Sequence, residues 1–441
     1  MSTNKTFAYD LERNVHRITL YNTVAVEHRH RTFKDRLYLH LDMNCFYAQV
    51  EQQSYDLYGI PLIVGGWRKP DGTPRGIVAT SSYEARAFGV KTGMSAFEAV
   101  QKCPFLVFMQ VHYTKYQAIS ALVLKILKKH AMDVEKYSMD EYFADVTWLL
   151  KKDDMAIKEF GKGLKIAIKN KTDLICSVGI ARSKTYAKLA SDLHKPDGLT
   201  LVLSDVDEQQ LIWPLSLNEV WGIGSRRFEK LRSKGLNTIS DAVRSGSLPF
   251  QKLFGNMFGK MMHDTVTGKD MARILDNEHH VPEQVTYMHT FSTWTKDSFE
   301  VKGELIKAVR QLGYRMRGYK LRARKFVAYV RFQDAEWKGI NVIFGTNGYT
   351  NIDDYIQDAC LLAVMPRVKY FLEAGQRIRG IGVMTVDVDS GHQLELFFSD
   401  QVKLSSLYGA KDQIVNRFGF EYLTSAAEMD DVKGNTHFLE R

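Results

Sequence analysis

KYSMDEYFAD, residues 136–145, is the stretch on which the fold turns. Apolar and aromatic residues alternate through it as in a buried strand, yet Asp140 and Glu141 stand side by side at its centre. On a regular strand neighbouring side chains point to opposite faces, and two buried carboxylates repel each other unless a positive group pairs them. A bend or bulge at these residues removes the first difficulty. The pattern therefore predicts a hairpin turn here, with both acids aimed at one place.

Working outward, RLYLHLD (36–42) alternates and ends on Asp42, so it reads as a strand closing on a third carboxylate. Three carboxylates converging at strand ends supply the hard oxygen ligands and negative charge that a pair of Mg²⁺ ions requires; three solvated loop acids are the alternative. In SSYEARAFGVKTGM (81–94) a short helix is expected, with Ser81 and Glu84 as its capping box. Tyr83 and Arg86 then share a face at a helix N-terminus, where free N–H groups, a guanidinium fork and a phenol favour phosphate. An exposed amphipathic helix is the other reading. Lys195, in the turn KPDG (195–198), is a third candidate phosphate cation. Gly222 and Gly224 of VWGIGSRRFEKL fit a helix-hairpin-helix, whose glycines let backbone N–H groups approach a DNA phosphate; otherwise they mark an ordinary helix–helix turn.

The 441-residue chain is long enough for several cores, and its net charge of +9 is unevenly spread. Between Lys296 and Lys338 there are 12 Lys and Arg against 5 Asp and Glu. That excess favours a polyanion partner, a solvated basic face being the plainer reading. Arg322, Arg324, Lys325 and Arg331 are the expected DNA contacts in it. The same region reads strand, helix, strand, strand, helix, strand, with the second helix interrupted at Pro366. Cys45, Cys103, Cys176 and Cys360 are isolated, with no CxxC pair, which argues against zinc or a disulfide framework and for a reducing, cytoplasmic setting. The start of the chain carries no secretory pattern, and no stretch is apolar for long enough to span a bilayer.

LHLDMNCFYAQVE, ATSSYEARAFGVKTGM, YSMDEYFADV, SVGIARSKTYAKLASDLHKPDG, VWGIGSRRFEKL and RIRGIGV follow one another in the order of the Y-family translesion DNA polymerases, which the chain resembles over roughly residues 36–390. DMNCFYA with its Asn44, QLELFF (393–398) and QIVNRFGF are most similar to the bacterial UmuC branch; many other members have Asp where this chain has Asn44. The resemblance implies an α+β multidomain right hand. Its palm is expected at 36–50 and 98–204, small fingers at 51–97, and a helical thumb with the helix-hairpin-helix at 205–276. A linker (277–287), a β-α-β-β-α-β little finger (288–390) and a C-terminal tail (391–441) follow, with an N-terminal extension at 1–35.

It further implies DNA synthesis past damaged bases, in DNA repair and an SOS-type response, by nucleotidyl transfer from dNTP to the primer 3′-hydroxyl. Asp42, Asp140, Glu141 and the carbonyl of Met43 match the ligands of two Mg²⁺ ions, and Tyr83, Arg86 and Lys195 match the triphosphate site. Tyr47 matches the aromatic beneath the deoxyribose that blocks a 2′-hydroxyl. Gln393, Leu394, Leu396 and Phe397 resemble a motif that docks on the sliding clamp. The implied partners are primer-template DNA, dNTP, the clamp, a UmuD-type accessory subunit and RecA, with no membrane. Two other classes stay open: a catalytically silent relative that scaffolds a repair complex, and a metal-dependent nuclease.

Overall fold

The strand Tyr38–Met43 (β1) alternates between two cores. Leu39, Leu41 and Met43 enter one apolar cluster, whereas Tyr38 enters a second one on the opposite face, the side shared by His40 and Asp42. The computed structural model describes residues 36–270, 273–275, 281–332, 339–390 and 399–420. The expected N-terminal extension and the segment Gln393–Phe398 lie outside the described residues. The chain divides into two compact units, Met1–Glu278 and His279–Arg441.

In the first unit β1 is followed by α1 (Phe46–Tyr55), β2 (Leu62–Val64), β3 (Trp67–Arg68), β4 (Pro74–Arg75), β5 (Thr80–Ser81), α2 (Tyr83–Ala87), α3 (Ala96–Lys102) and β6 (Val107–Met109). Then come α4 (Tyr113–His130), β7 (Val134–Lys136), β8 (Glu141–Asp145), α5 (Asp154–Thr172), β9 (Cys176–Ala181), α6 (Lys184–Asp192) and β10 (Leu199–Val202). A helical region closes the unit with α7 (Asp205–Asp207), α8 (Ser225–Arg232), α9 (Ile239–Ser245), α10 (Leu248–Phe254) and α11 (Asn256–Val266).

The main sheet runs β10-β9-β1-β8-β7, with β1 antiparallel to both neighbours. Helices α4 and α5 cover its Leu39/Leu41 face and α6 covers the other. Helix α6 lies directly on β9 because position 179 is glycine. An added Cβ there would sit 2.1 Å from the Ala187 carbonyl oxygen and 2.4 Å from the Ser191 nitrogen. The expected hairpin is present: β7 and β8 pair antiparallel, and the Tyr137 and Ser138 N–H groups both donate to the Glu141 carbonyl at 3.0 and 3.1 Å. Asp140 sits in the turn and Glu141 opens β8.

A small sheet, β5-β2-β6, takes its third strand from beyond residue 97, where the fingers segment was expected to end. The reason is packing: Ala99, Cys103 and Leu106 share one core with Ile63, Val78 and Ala85. The capping box also shifts. Ser82, not Ser81, caps α2, its hydroxyl accepting from the Ala85 N–H, because Ser81 is already committed to pairing with Ile63 in the sheet. All four cysteines are free and buried.

The second unit contains β11 (Thr286–Thr295), α12 (Ser298–Gly318), β12 (Arg322–Phe332), β13 (Gly339–Thr350), α13 (Asp353–Glu373), β14 (Ile378–Asp389) and α14 (Ser399–Phe418). Its antiparallel sheet has the order β11-β14-β12-β13, the β-α-β-β-α-β arrangement read from the sequence. Helix α13 runs through Pro366 without the expected interruption. The missing N–H of a helical proline frees the carbonyl four residues earlier, and here that residue is the exposed Leu362. Among the described residues no helix is long and apolar enough to cross a membrane.

Candidate active site

Asp42 lies opposite Glu141 in the β1/β8 register, so the two side chains share a face. The Met43 N–H donates to the Asp140 carbonyl at 2.9 Å, which brings the hairpin turn to the same strand end. Asp42, Met43, Asp140 and Glu141 are thus gathered at one edge of the sheet. Burial pushes the Asp42 carboxyl up to about 7, the charges of Glu141 and Asp140 add to this, and Lys195 opposes it. Asp140 is raised as well, chiefly by burial, against a hydrogen bond from the Ser138 hydroxyl at 2.7 Å.

Two lysines answer the surplus charge. Lys195 Nζ reaches Asp42 Oδ2 at 2.6 Å and Asp192 Oδ1 at 2.6 Å, and Lys188 makes a close ion pair with Glu141. Burial works to lower the Lys195 amine, but Asp42 and Asp192 outweigh it and raise it. With the lysines in place, no three His, Cys, Asp or Glu side chains among the described residues stand in ready ligating geometry. The donor chemistry nevertheless fits a hard divalent cation: carboxylate oxygens at one strand end, with Asp42 and Asp140 raised chiefly by burial and further by neighbouring negative charge that a cation would offset.

The phosphate candidates assemble beside these acids. Tyr83 is the first residue of α2, and its hydroxyl is buried with no hydrogen-bond partner. Burial pushes this phenol up to about 12, and the charges of Arg86, Lys195 and Asp42 all reach it. The exposed Arg86 guanidinium lies 5.0 Å from the Tyr83 ring centre, and its Nε donates to the Ser81 carbonyl at 3.1 Å. Cys45 takes a left-handed conformation (φ 37°) that turns the chain from β1 into α1. Tyr47, in the first turn of α1, has its phenol raised by burial and then by the nearby Asp140 charge. Its ring stacks on Tyr116 at 4.3 Å and 14°.

Residues 41–192 match the impB/mucB/samB family, and residues 282–396 match the C-terminal domain of that family. A solved Y-family DNA polymerase chimera of Dbh and Dpo4 shares the fold with a TM-score of 0.68 at 23% identity, over 79% of this chain and 98% of the other. DNA polymerase IV of Oceanobacillus iheyensis is 29% identical over 407 residues, 91% of this chain and 94% of the relative. DNA polymerase IV of Streptococcus agalactiae is 31% identical over 364 residues, 81% and 95% of the two. The chain belongs to the Y-family DNA polymerases. As a Y-family polymerase it is a DNA-directed DNA polymerase that copies template past damaged bases, and the family depends on a divalent metal. The relatives named here are called DNA polymerase IV and not UmuC.

The expected DNA contacts of this Y-family chain are less uniform. Gly222, with φ +80°, and Gly224 are exposed around the buried Ile223, and both face open space. On β12, Arg322 pairs with Asp389 at 2.9 Å and Arg324 with Asp387 at 2.6 Å, so part of the counted charge is neutralised within the second unit. Lys325 is exposed, and Arg331 lines a groove on the helix-free face of the sheet with Val327 and Tyr329.

Sequence reasoning missed Lys188 and, having read Asn44 only as a branch marker, missed its part in the site. Lys188, Ser191 and Asp192 fall at i, i+3 and i+4 of α6, one helical face, and the KPDG turn that holds Lys195 follows directly; that spacing was the available signal. Asn44 is fully buried, its Oδ1 accepting from the Asp197 N–H at 2.8 Å and its Nδ2 donating to Ser177 Oγ at 3.0 Å. It ties the Lys195 turn to the strand end.

Proposed function

We propose that this polymerase adds deoxyribonucleotides with two Mg²⁺ ions held by Asp42, Asp140, Glu141 and the carbonyl of Met43. The observation that carries the reading is the cross-strand pairing of Asp42 with Glu141, with lysines drawn to the surplus charge. When bound, such ions supply Lewis acidity toward the primer 3′-hydroxyl and the triphosphate oxygens. The remaining work falls to the chain. Lys195, held protonated by its carboxylate partners, donates to the triphosphate. The unpartnered Tyr83 hydroxyl and the Arg86 guanidinium donate to the same group. Tyr47 underlies the sugar and blocks a 2′-hydroxyl. With the nucleotide so fixed, the 3′-hydroxyl releases its proton to solvent, its oxygen bonds to the α-phosphorus, and the bond to pyrophosphate breaks.

Small fingers enclose the nascent pair loosely and admit damaged templates, a reading supported by the small separate sheet that joins Leu62–Val64 to Val107–Met109. The exposed Gly222, Gly224 and Lys325, with the half-buried Arg331, grip DNA phosphates without reading sequence. Gln393, Leu394, Leu396 and Phe397 dock a sliding clamp. Asn44 and the QLELFF tail support the UmuC branch, with a UmuD-type subunit and RecA as partners in an SOS-type response in the cytoplasm. Stimulation of synthesis by such a subunit separates that branch from a self-sufficient enzyme.

Primer extension by Asp140→Ala tests the site. Nucleotide addition should vanish while primer-template affinity stays near wild type, because phosphate contacts elsewhere carry it. Full activity in this variant sinks the metal assignment. Cleavage of end-labelled DNA without dNTP would favour a nuclease instead.

A further inference from the structure

Behind Tyr47 lies a buried polar anchor that the polymerase chemistry does not use. Glu51 is one helical turn beyond Tyr47 on α1, on the same face, and is completely buried. A buried carboxylate is costly unless donors satisfy it. Three do so here, all from the start of α4. The Tyr116 hydroxyl donates to Oε1 at 2.7 Å, Lys115 Nζ to Oε2 at 3.1 Å, and His112 Nδ1 lies 3.3 Å from Oε1. Burial works to raise the Glu51 carboxyl, but these donors outweigh it and hold it below the ordinary carboxylate value, so it is ionised.

Tyr116 is itself fully buried, and its ring is the one stacked under Tyr47. Tyr113 meets Tyr47 edge-on at 6.4 Å, and Phe46 meets Tyr116 edge-on at 6.2 Å. Stacking alone leaves a ring free to slide in its plane. The hydroxyl bond to a charged, immobile acceptor removes that freedom.

We propose that Glu51 is a positioning residue: acting through Tyr116, it fixes the ring of Tyr47 and so sets how strongly the polymerase prefers deoxyribonucleotides. The proposal rests on Tyr47 being the sugar gate. The clamp is internal, linking the helix that carries the gate to the helix beneath it. Its effect is on ring position, and a displaced ring opens room at the 2′ position before it disturbs pairing with the template.

The experiment compares kcat/KM for one deoxyribonucleoside triphosphate and its ribonucleotide counterpart in the full chain. The variants are Tyr116→Phe, Glu51→Gln, Tyr47→Ala, and Tyr47→Ala combined with Tyr116→Phe. Tyr116→Phe keeps the stacked ring and its volume and removes only the tether. Loss of one hydrogen bond to a charged group should lower the deoxy-to-ribo ratio about tenfold. Glu51→Gln, which keeps an acceptor but not the charge, should lower it less, in the same direction. Adding Tyr116→Phe to Tyr47→Ala should change the ratio no further. A purely structural role would depress both substrates together and leave the ratio alone. If Tyr47→Ala collapses the ratio while Tyr116→Phe and Glu51→Gln preserve it, Glu51 does not position the gate and the proposal is overturned. If Tyr47→Ala itself leaves the ratio intact, the gate reading falls, and this proposal falls with it.

Discussion

Asn44→Ala should loosen the turn that carries Lys195. Asn44 is completely buried, and its amide bridges the Asp197 N–H and Ser177 Oγ, while Ser177 Oγ also accepts from the Gly198 N–H at 3.1 Å. These bonds hold residues 195–198 against β1 and β9, and from there Lys195 Nζ reaches Asp42. Alanine deletes two of them. An unpaired, partly buried donor costs about 1–3 kcal/mol and the second bond about 1 kcal/mol. Asp197 is exposed, so water can satisfy its N–H in part, which favours the lower end. If about 1–2 kcal/mol of this is taken from nucleotide binding, KM for dNTP rises by a factor of roughly 5–30. Asn44→Asp keeps the acceptor for Asp197 and loses only the donor to Ser177, so its KM should rise less. Its added negative charge should push Asp42 further up. Steady-state single-nucleotide incorporation with a thermal melt measures both effects. Wild-type KM and Tm in Asn44→Ala would refute the reasoning. A KM in Asn44→Asp as high as in Asn44→Ala would show that the acceptor bond is not what holds the turn.

Three further outcomes are expected. Gly179→Ala should push α6 off β9, drawing Lys188 from Glu141 and Asp192 from Lys195; overpacking of this kind costs about 1–3 kcal/mol, and normal melting with normal primer extension would contradict the close approach. Arg317→Met should destabilise the second unit by about 3–5 kcal/mol, since Arg317 pairs with buried Asp353 at 2.6 Å and with Asp412 of α14 at 2.7 Å. Burial already pushes Asp353 up to about 6 against the pull of Arg317. A carboxyl whose folded value lies above its unfolded one costs stability as pH rises, so melts should show a larger loss at about pH 8 than at about pH 5, and the opposite order would be wrong for this account. Leu396→Ala with Phe397→Ala should leave clamp-free extension intact and abolish stimulation by the clamp; instability without the clamp would assign these residues to a core instead.

What the sequence disclosed, and what it hid, follows the range of the interactions. The hairpin at residues 137–141 was legible because two adjacent acids in an otherwise apolar, strand-like run are readily placed together only at a bend. The β-α-β-β-α-β order was legible because strand and helix periods differ along that segment. Ser81 and Ser82 are both competent caps, and the choice was made by pairing with Ile63, which local pattern does not carry. Pro366 reads as a break on propensity alone, yet the helix runs through it, with the residue four positions earlier, Leu362, on the exposed side. The network of Asn44, Ser177 and Asp197 and the anchor of Glu51 on Tyr116 join positions far apart in the chain. Nothing local marks those partners. The basic count between Lys296 and Lys338 was correct as a sum, yet Arg317, Arg322 and Arg324 spend their charge on carboxylates of their own unit.

The central claim is that Asp42, Asp140 and Glu141 drive damage-tolerant synthesis at one strand-end site. It is tested most directly by primer extension on a template bearing a single abasic site, run with chelator-stripped full-length protein. With Mg²⁺ restored, wild type should extend the primer past the lesion. Asp140→Ala should bind the same primer-template and add no nucleotide on damaged or undamaged template. Bypass by Asp140→Ala equal to wild type, or wild-type extension that stops at the lesion while undamaged template is copied in full, would contradict the account.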